Sequence, residues 1–522
     1  MSPSRLPLVV STVGVVAAWG AARYAFVLPL VLIGLLLATL AVPPRERRLI
    51  EPQWLALGAL LIGVSLVVAT DHELAVRHAL LLLAAVTAFG LARRAPLSDT
   101  LTTAIAALLA LAGLVALGQV VGGLERAQSA VTELPAQWRD AAMTRLGEGR
   151  AFGTAALPGH FAALMLLCLP LLAQGLGRAK GWRRGGWGIL LLISAGAMIV
   201  TRSLAVLAIA ALLVGFFLAG RHRRSWTVAA AAVVILAMAA VVLASRPDLR
   251  HLEPIRLRWI NWSTTAWVLA HHPWLGVGLG GVGQASLQAP MGAANITPYT
   301  HNTYLQLLAE LGLAGTGLVF AGVLALARLL RRGAQVAPAL TAAVAVVPLH
   351  NLVDFSAYQP EILLPWAVLA GSLAGRVFPL PARPLRSLVV APALAAGALL
   401  TALSWRSETE LDRLPTAPPQ DAPARALAAA SWARWTVTPL ELGAAVALAS
   451  KDAAPWLPRL DDALASRAWV RPESSSWAEA RARIALALGR GGEALTWVRE
   501  AHRRAPWRAE LADLERGCTP PY

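Results

Sequence analysis

The stretch "HNTYLQLLAELGLAG", residues 301–315, places a histidine and an asparagine at the head of an apolar run that continues to about residue 327. The hydrocarbon core of a bilayer is about 30 Å thick, and a helix needs roughly 20 apolar residues to cross it. Comparable runs recur in a chain that is 57% hydrophobic and only 14% charged. The sequence therefore predicts an all-α, polytopic helical membrane protein, in which His301 and Asn302 lie where a helix enters the membrane.

The apolar runs predict about 12–13 transmembrane helices. They lie near residues 6–22, 25–42, 53–70, 74–92, 100–122, 155–174, 186–201, 203–220, 226–245, 303–327, 335–353, 362–378 and 386–405. The first run lacks a small-residue cleavage site and is soon followed by the second, so we interpret it as a retained helix and not as a signal peptide.

The formal net charge of +17 is concentrated in short links between the apolar runs. These basic links are residues 43–48, 92–96, 178–184, 221–224, 328–333 and 381–386. If Met1 is cytoplasmic, all of them fall on the cytoplasmic side, as the positive-inside rule expects. The charge therefore indicates membrane topology and not a nucleic-acid partner.

The same topology predicts the domain organisation. It comprises a membrane domain (1–405) with large outside loops at 123–154 and 246–302, a Pro-rich linker (406–423) and a small soluble, α-helical C-terminal tail (424–522). Within the tail, residues 474–507 predict two amphipathic helices broken at 489–492, which resembles a tetratricopeptide-type pair. About two such units are marginal alone, so we expect the tail to pack on the membrane part. It is either a spacer or a surface for a protein partner.

The glycines of "LGVGLGGVG" (275–283) match a Gly-x-Gly-x-x-Gly pattern at Gly276, Gly278 and Gly281. A dinucleotide fingerprint must follow a buried strand and open a helix, whereas this stretch follows a predicted helix in an outside loop. We expect the glycines to allow close backbone approach, between helices or to a ligand.

Arginines are frequent in the outside loop 246–302, where the topology disfavours them: Arg246, Arg250, Arg256 and Arg258. Guanidinium groups bind phosphate oxygens through paired hydrogen bonds and stay charged at any relevant pH. The cluster therefore predicts a site for a lipid-linked pyrophosphate, and contact with ordinary lipid phosphates is the alternative.

Other polar residues are predicted at the outside ends of spans: Arg150, Arg202, His160, His350, Asn351 and Asp354. His301 differs in kind, because an imidazole with an ordinary pKa of about 6.5 can accept a proton from a hydroxyl nucleophile near neutral pH. The alternative for His301 is a structural hydrogen bond to the backbone. Glu310, three turns into its span, is expected to make a structural pair.

These residues resemble the O-antigen ligase and O-antigen polymerase superfamily of bacterial membrane glycosyltransferases. His301-Asn302, nine residues, Gly312, two residues and Gly315 fit the family's His-[Asn/Ser/Gln]-x9-Gly-x-x-[Gly/Thr/Tyr] element. The resemblance covers about residues 150–370 and marks Arg258 as the family arginine, because Trp262 follows it by four residues. Further similar segments are "RAFGTAALPGHFAALM", "TRSLAVLA" and "LHNLVDF". Two of these depart from the family pattern: Gly159 stands where the family usually has Asn, and Thr201 and Ser203 flank Arg202 in place of Ser and Gly.

The resemblance implies transfer of a glycan from undecaprenyl pyrophosphate to an acceptor hydroxyl of lipid A-core or of a glycan. The reaction would be periplasmic, metal-independent, free of cofactors and inverting, in a protein of the bacterial inner membrane with a cytoplasmic N-terminus. His301 and Arg258 would be catalytic. The pyrophosphate-binding residues would be Arg258, Arg202, Arg256 and Arg150. Supporting residues would be Asn302, Tyr304, His160, His350 and Asp354.

Alternative functions remain open on the sequence. The His-Asn-x9-Gly signature favours a ligase, whereas the extra span and the tail favour a polymerase or a protein O-oligosaccharyltransferase of the same superfamily. A transporter of a lipid-linked anion would need polar residues through the full membrane depth and inverted repeats, and neither pattern is apparent. A non-catalytic assembly scaffold acting through the tail is the remaining alternative.

Overall fold

A computed structural model describes residues 6–19, 24–41, 52–132, 139, 143, 146–219, 253–379 and 390–518. The predicted span near 226–245, Arg246, Arg250 and the basic links at 43–48, 221–224 and 381–386 lie outside these described residues. Every regular element among the described residues is helical. The predicted all-α fold class is confirmed.

The helices of the N-terminal half are α1 (Leu6–Trp19), α2 (Tyr24–Ala41), α3 (Pro52–Val67), α4 (His72–Arg94), α5 (Asp99–Ala110), α6 (Gly113–Gly118), α7 (Leu124–Thr132), α8 (Pro158–Arg178), α9 (Trp182–Val200) and α10 (Leu204–Ala219). The middle of the chain forms α11 (Glu253–His271), α12 (Val282–Ser286), α13 (Thr303–Val336), α14 (Pro338–His350) and α15 (Pro360–Val377). The C-terminal part forms α16 (Val390–Leu411), α17 (Ala422–Trp432), α18 (Thr438–Ala449), α19 (Leu457–Ala465), α20 (Ser475–Ala487), α21 (Gly491–Arg504) and α22 (Ala509–Cys518).

Long apolar helices make this a multi-pass membrane protein. Among the described residues, 5 helical segments are long and apolar enough to cross a bilayer: His72–Arg94, Asp99–Ser129, Pro158–Arg178, Trp182–Val200 and Thr303–Val336. Shorter apolar helices include Leu204–Leu213 and Pro338–His350. The outside loop predicted at 246–302 contains α11 and α12 and is therefore not an unstructured connection.

The chain divides into two compact units. The first contains Met1–Glu51, Leu81–Pro254 and Ala321–Ala398, and the second contains Pro52–Leu80, Ile255–Phe320 and Leu399–Tyr522.

The first unit packs its helices closely through small residues. On α15, a Cβ atom at Gly371 or Gly375 would lie 2.2 Å from the carbonyl oxygen of Phe89 or Arg93, respectively. These two glycines are four residues apart and so lie on one face of the helix, the arrangement that lets membrane helices approach at backbone distance.

Polar residues of the first unit lie at both ends of α8. At its C-terminal end, Arg178 Nη2 lies 2.6 Å from Asp99 Oδ2, and Arg376 Nη1 lies 2.5 Å from Asp99 Oδ1. At its N-terminal end lies His160, which is fully buried. Eighteen residues of helix separate His160 from Arg178, or about 27 Å at 1.5 Å per residue, which is close to the thickness of the hydrocarbon core.

The second unit contains the C-terminal tail. Its helices α20 and α21 are joined by residues 488–490, as predicted, and fold back on each other so that the rings of Trp477 and Trp497 meet edge to face at 5.2 Å. The Ser474 side chain accepts a hydrogen bond from Trp477 N at 3.1 Å and thereby caps α20. The resemblance of this tail to tetratricopeptide repeats stays a prediction.

The tail packs on other segments of the second unit, as the sequence predicts. His72 N donates to the carbonyl oxygen of Val470 at 2.8 Å, and Trp507 Nε1 donates to that of Gln288 at 3.3 Å. Leu287 lies within the apolar core of the tail. These contacts require the link before α4, the loop around residue 287 and the tail to lie on the same side of the membrane.

Candidate active site

The signature segment forms the first three turns of α13. Asn302 precedes the helix, and its Oδ1 accepts a hydrogen bond from Leu305 N at 3.0 Å, which satisfies one of the free N–H groups at the helix start. The helix is interrupted at Gly312, where φ is 60° and ψ is −162°. This break lies inside the stretch that its hydrophobicity predicts to be a single span.

The backbone groups freed by the break pair with the glycine-rich segment at 273–278. Val277 N and Gly278 N donate to the carbonyl oxygens of Ala309 and Glu310 at 3.1 and 3.0 Å. On the other side of the break, Leu313 N and Ala314 N donate to the carbonyl oxygens of residues 273 and 274 at 2.7 and 3.0 Å. Because unpaired backbone groups are costly within a membrane, this pairing allows α13 to be discontinuous at that depth.

Glycine is required on both sides of this junction. Gly312 and Gly276 both have positive φ, at 60° and 68°. A Cβ at Gly312 would lie 2.5 Å from Gly276 N, and a Cβ at Gly276 would lie 2.4 Å from the carbonyl oxygen of Ala309. The expectation that the glycines serve close backbone approach is confirmed, since a Cβ at Gly278 would lie 2.4 Å from Ala69 Cα.

Glu310 has the structural role expected of it. The residue is fully buried, and its Oε1 accepts hydrogen bonds from Gly280 N and from Gln306 Nε2, both at 2.9 Å. The carboxylate therefore joins the glycine-rich segment to the first half of α13.

His301 adopts a left-handed backbone conformation directly before α13. Its φ of 56° makes it one of two non-glycine residues with positive φ among the described residues, and the other is Arg202. Such conformations cost about 1–3 kcal/mol and persist only where the surroundings hold them. The His301 carbonyl oxygen accepts from Trp262 Nε1 at 3.4 Å, and Thr300 Oγ1 lies 2.9 Å from Thr265 Oγ1.

The contacts of Trp262 and Thr265 fix α11 against the turn that carries His301. Arg258 lies four residues before Trp262, and side chains with this spacing share one face of a helix. Arg258 is half-buried, whereas Arg256 is exposed. The structure thus places Arg258 one turn along α11 from the residue that bonds to His301. Tyr304 lies half-buried in the first turn of α13.

In the first unit, Arg202 occupies the tight turn between α9 and α10 with a φ of 52°. The segment that carries Arg150 lies against this turn. Arg150 Nε donates to the carbonyl oxygen of Thr201 at 3.0 Å, and Ala151 N donates to that of Val200 at 3.2 Å. Arg150 and Arg202 are therefore brought together, as the sequence predicts for residues at outside ends of spans.

The predicted His160, His350 and Asp354 also meet in the first unit. Asp354 Oδ1 lies 3.5 Å from His160 Nε2, and Asp354 Oδ2 lies 3.6 Å from His350 Nε2. His350 Nδ1 lies 2.5 Å from Ser356 Oγ. The departure at Gly159 has a physical reason, because a Cβ there would lie 3.2 Å from Asp354 Oδ2.

Comparison with known families supports the O-antigen ligase resemblance over part of the chain. Residues 189–321 match the family model described as O-antigen ligase. Over this segment the chain is similar to the O-antigen ligase family. No curated protein matches the chain.

The O-antigen ligase match covers part of the predicted site. Arg202, Arg256, Arg258, His301 and the break at Gly312 all lie within residues 189–321. The remaining candidates flank that range: Arg150, His160, His350 and Asp354. The flanking candidates nonetheless contact each other or the Arg202 turn in the first unit, as described above.

Two residues near the site were missed by sequence reasoning. Gln119 lies in a π-helical turn. Its Oε1 accepts hydrogen bonds from Phe152 N at 3.0 Å and from Gly153 N at 2.8 Å. Its Nε2 donates to the carbonyl oxygen of Gly153 at 3.2 Å. Glu361 is almost fully buried at the start of α15. A lone polar residue in an apolar span was the available signal for Gln119.

Proposed function

We propose that this O-antigen ligase-type enzyme transfers a glycan from undecaprenyl pyrophosphate to an acceptor hydroxyl on the periplasmic face of the bacterial inner membrane. Lipid A-core is the proposed acceptor. The N-terminus would be cytoplasmic, and both the loop at 246–302 and the tail at 424–522 would be periplasmic.

In the proposed reaction, the acceptor oxygen forms a bond to the anomeric carbon of the donor glycan. The bond from that carbon to the pyrophosphate oxygen breaks, and the undecaprenyl pyrophosphate leaves with the electron pair. Attack opposite the leaving group inverts the anomeric carbon. The acceptor hydroxyl proton passes to the imidazole of His301, acting as general base.

Arginines would stabilise the charge of the leaving pyrophosphate. Arg258, Arg202, Arg256 and Arg150 are assigned this role, because fixed guanidinium groups aimed at a developing charge lower the barrier without reorganising during the reaction. Their charge could replace that of a divalent cation, so the proposed transfer is metal-independent. Asn302, Tyr304, His160, His350 and Asp354 are assigned supporting roles.

The observation that carries the proposal is the strained backbone at two of the assigned residues within the segment that is similar to the O-antigen ligase family. Among the described residues, Arg202 and His301 are the non-glycine residues with positive φ. An energetic cost maintained at such positions is typical of functional sites, and both residue types suit the proposed chemistry.

A polymerase, which extends the glycan on its lipid carrier, is the second candidate. The tail favours it, because α17–α22 are held against the loop that carries α11 and α12, through Trp507 and Leu287. A protein O-oligosaccharyltransferase would use the same site with a protein hydroxyl as acceptor.

The surface glycan of a strain that lacks this gene distinguishes the candidates on a gel. We expect unattached polymer and bare lipid A-core, the result for a ligase. Lipid A-core carrying a single repeat unit would instead identify a polymerase. Unchanged lipopolysaccharide would contradict both assignments and direct attention to protein glycosylation.

A further inference from the structure

A pair of buried polar side chains lies on one face of α13, behind the turn that carries His301. Gln306 and Glu310 are one helical turn apart and both fully buried. Gln306 Nε2 donates to Glu310 Oε1 at 2.9 Å, and Gln306 Oε1 accepts from Thr300 N at 3.1 Å. The pair therefore connects the helix to the residue immediately before His301.

The direction of these hydrogen bonds depends on the carboxylate. A glutamine amide has a donor end and an acceptor end that can exchange places by rotation, whereas an ionised carboxylate only accepts. Glu310 draws the NH2 group of Gln306 towards itself and so turns the carbonyl end to Thr300 N. Glu310 is in turn anchored by Gly280 N at 2.9 Å.

The backbone held by this chain of bonds is the strained one. His301 has a φ of 56°, a region that L-residues with a side chain rarely adopt. Thr300 is bonded on one side by Gln306 and on the other by Thr265, while the carbonyl oxygen of His301 is bonded by Trp262. Loss of the Gln306 bond removes one of the constraints on the peptide that sets the direction of the imidazole.

We propose that Gln306 and Glu310 are positioning residues, which fix the backbone of His301 and thereby the direction of its imidazole. This inference rests on the proposed role of His301 as general base. It assigns to Glu310 a role beyond its structural pairing, and it assigns a role to a glutamine that the sequence motif does not single out.

A reciprocal exchange tests the directed hydrogen bonds in the full-length protein in lipid nanodiscs. Gln306→Glu sets two buried carboxylates against each other, and we expect turnover to fall about 100-fold with KM for the acceptor unchanged, the loss typical of a misplaced catalytic group. In the double variant Gln306→Glu/Glu310→Gln, the carboxylate at 306 accepts from Thr300 N and from the amide at 310. Because one atom of residue 310 faces both residue 306 and Gly280 N, this orientation restores the bonds from Thr300 to residue 310 and loses the bond from Gly280 N.

The double variant should recover part of the lost turnover, whereas Glu310→Gln alone, whose amide oxygen can still accept from Gln306 Nε2 and from Gly280 N, should lose less than Gln306→Glu. Gln306→Met, which fills similar volume without hydrogen bonds, should lose turnover while the protein still folds. Gln284→Met is the matched control, because the Gln284 side-chain oxygen is buried without a hydrogen-bond partner, and it should leave turnover unchanged. A double variant as poor as Gln306→Glu would show that the pair serves packing only and would overturn the proposal.

The reactivity of His301 provides a readout that does not depend on glycan transfer. Acylation by diethyl pyrocarbonate, followed peptide by peptide with mass spectrometry, should change in rate at His301 in Gln306→Glu and return in the double variant. The exposed His272 is the internal reference and should not change. An unchanged His301 rate in Gln306→Glu would overturn the positioning role. If the acylation rate of His301 changes in Gln306→Glu and returns in the double variant, while both variants transfer glycan at the wild-type rate, the role of His301 as base would instead be contradicted.

Discussion

The charge balance between the tail and the link before α4 predicts a pH-dependent stability. Arg471 pairs with three carboxylates: its Nε lies 3.1 Å from Asp71 Oδ2, its Nη2 lies 2.9 Å from Glu73 Oε2, and its Nη1 lies 3.2 Å from Glu441 Oε2. One guanidinium thus faces three acids in a largely buried site. Burial raises the pKa of Glu441 from 4.5 to about 7, with repulsion from Glu73 and Asp71 adding to the effect and Arg471 opposing it.

The sign of the pH dependence follows from this shift. Between pH 4.5 and 7 the folded protein binds the Glu441 proton more tightly than the unfolded chain does, so stability increases as pH falls through this range and decreases as pH rises. A shift from 4.5 to about 7 corresponds to about 3 kcal/mol above pH 7, since one pKa unit is worth about 1.4 kcal/mol. Glu441→Gln removes the charge and keeps an oxygen that can accept from Arg471.

We therefore expect Glu441→Gln to raise the melting temperature of the purified protein in nanodiscs at pH 8 and to have little effect at pH 4.5. Resistance of the turn at 412–421 to trypsin should follow the same pattern, because it reports tail docking directly. The matched control is Glu500→Gln on α21, where hydrogen bonds from Arg503, and also from Arg504, lower the pKa of the carboxyl to about 2. This control should destabilise the protein equally at pH 8 and 5.5, because Glu500 is charged at both. A Glu441→Gln variant that is less stable than wild type at pH 8 would refute the charge-balance argument.

Four further outcomes follow from the site. His301→Ala should abolish glycan transfer with donor binding nearly unchanged, and full activity would contradict the base assignment. Arg258→Lys should be strongly impaired, because a lysine cannot form the paired hydrogen bonds of a guanidinium; a donor-binding assay should show the loss. Gly312→Ala should reduce the yield of folded protein, because φ is 60° and an added Cβ would lie 2.5 Å from Gly276 N. Gly317→Ala is its control, because a Cβ there would meet nothing within 4 Å. Gln119→Leu should weaken donor binding by freeing the Arg150 segment, and Gln119→Glu should retain more binding because it keeps two of the three hydrogen bonds.

Hydrophobicity was sufficient to predict the fold class, and topology placed several polar residues of the first unit at span ends on the same side of the membrane. The end of α8 shows why, because His160, Asp354 and His350 were each predicted at an outside end of a span, and helices that cross the same bilayer bring such ends to a common depth. The Arg150 segment lies against the Arg202 turn for the same reason.

Other features leave no trace in hydrophobicity. The break at Gly312 falls within residues 303–327, which hydrophobicity predicts to be one continuous span, and only the motif marks the glycine. Residues 273–278, which pair with the backbone groups freed by the break, are mostly apolar and were recognised only as a set of glycines. The positive φ of His301 occurs where Trp262 donates to its carbonyl oxygen and Gln306 accepts from Thr300 N, residues that the motif does not single out, and no local pattern predicts it.

The spacing within the signature can now be interpreted as geometry. Ten residues lie between His301 and Gly312, and the helical part of this segment, which starts at Thr303, makes about two and a half turns. The segment contacts the glycine-rich loop on one side and α11 on the other. The backbone is interrupted at Gly312, and both sides of the break bond to the same glycine-rich segment. We therefore infer that the glycine and the histidine act together: the break lets the first turns of α13 pack as part of the loop structure, and in the proposed positioning role that structure holds the backbone of His301.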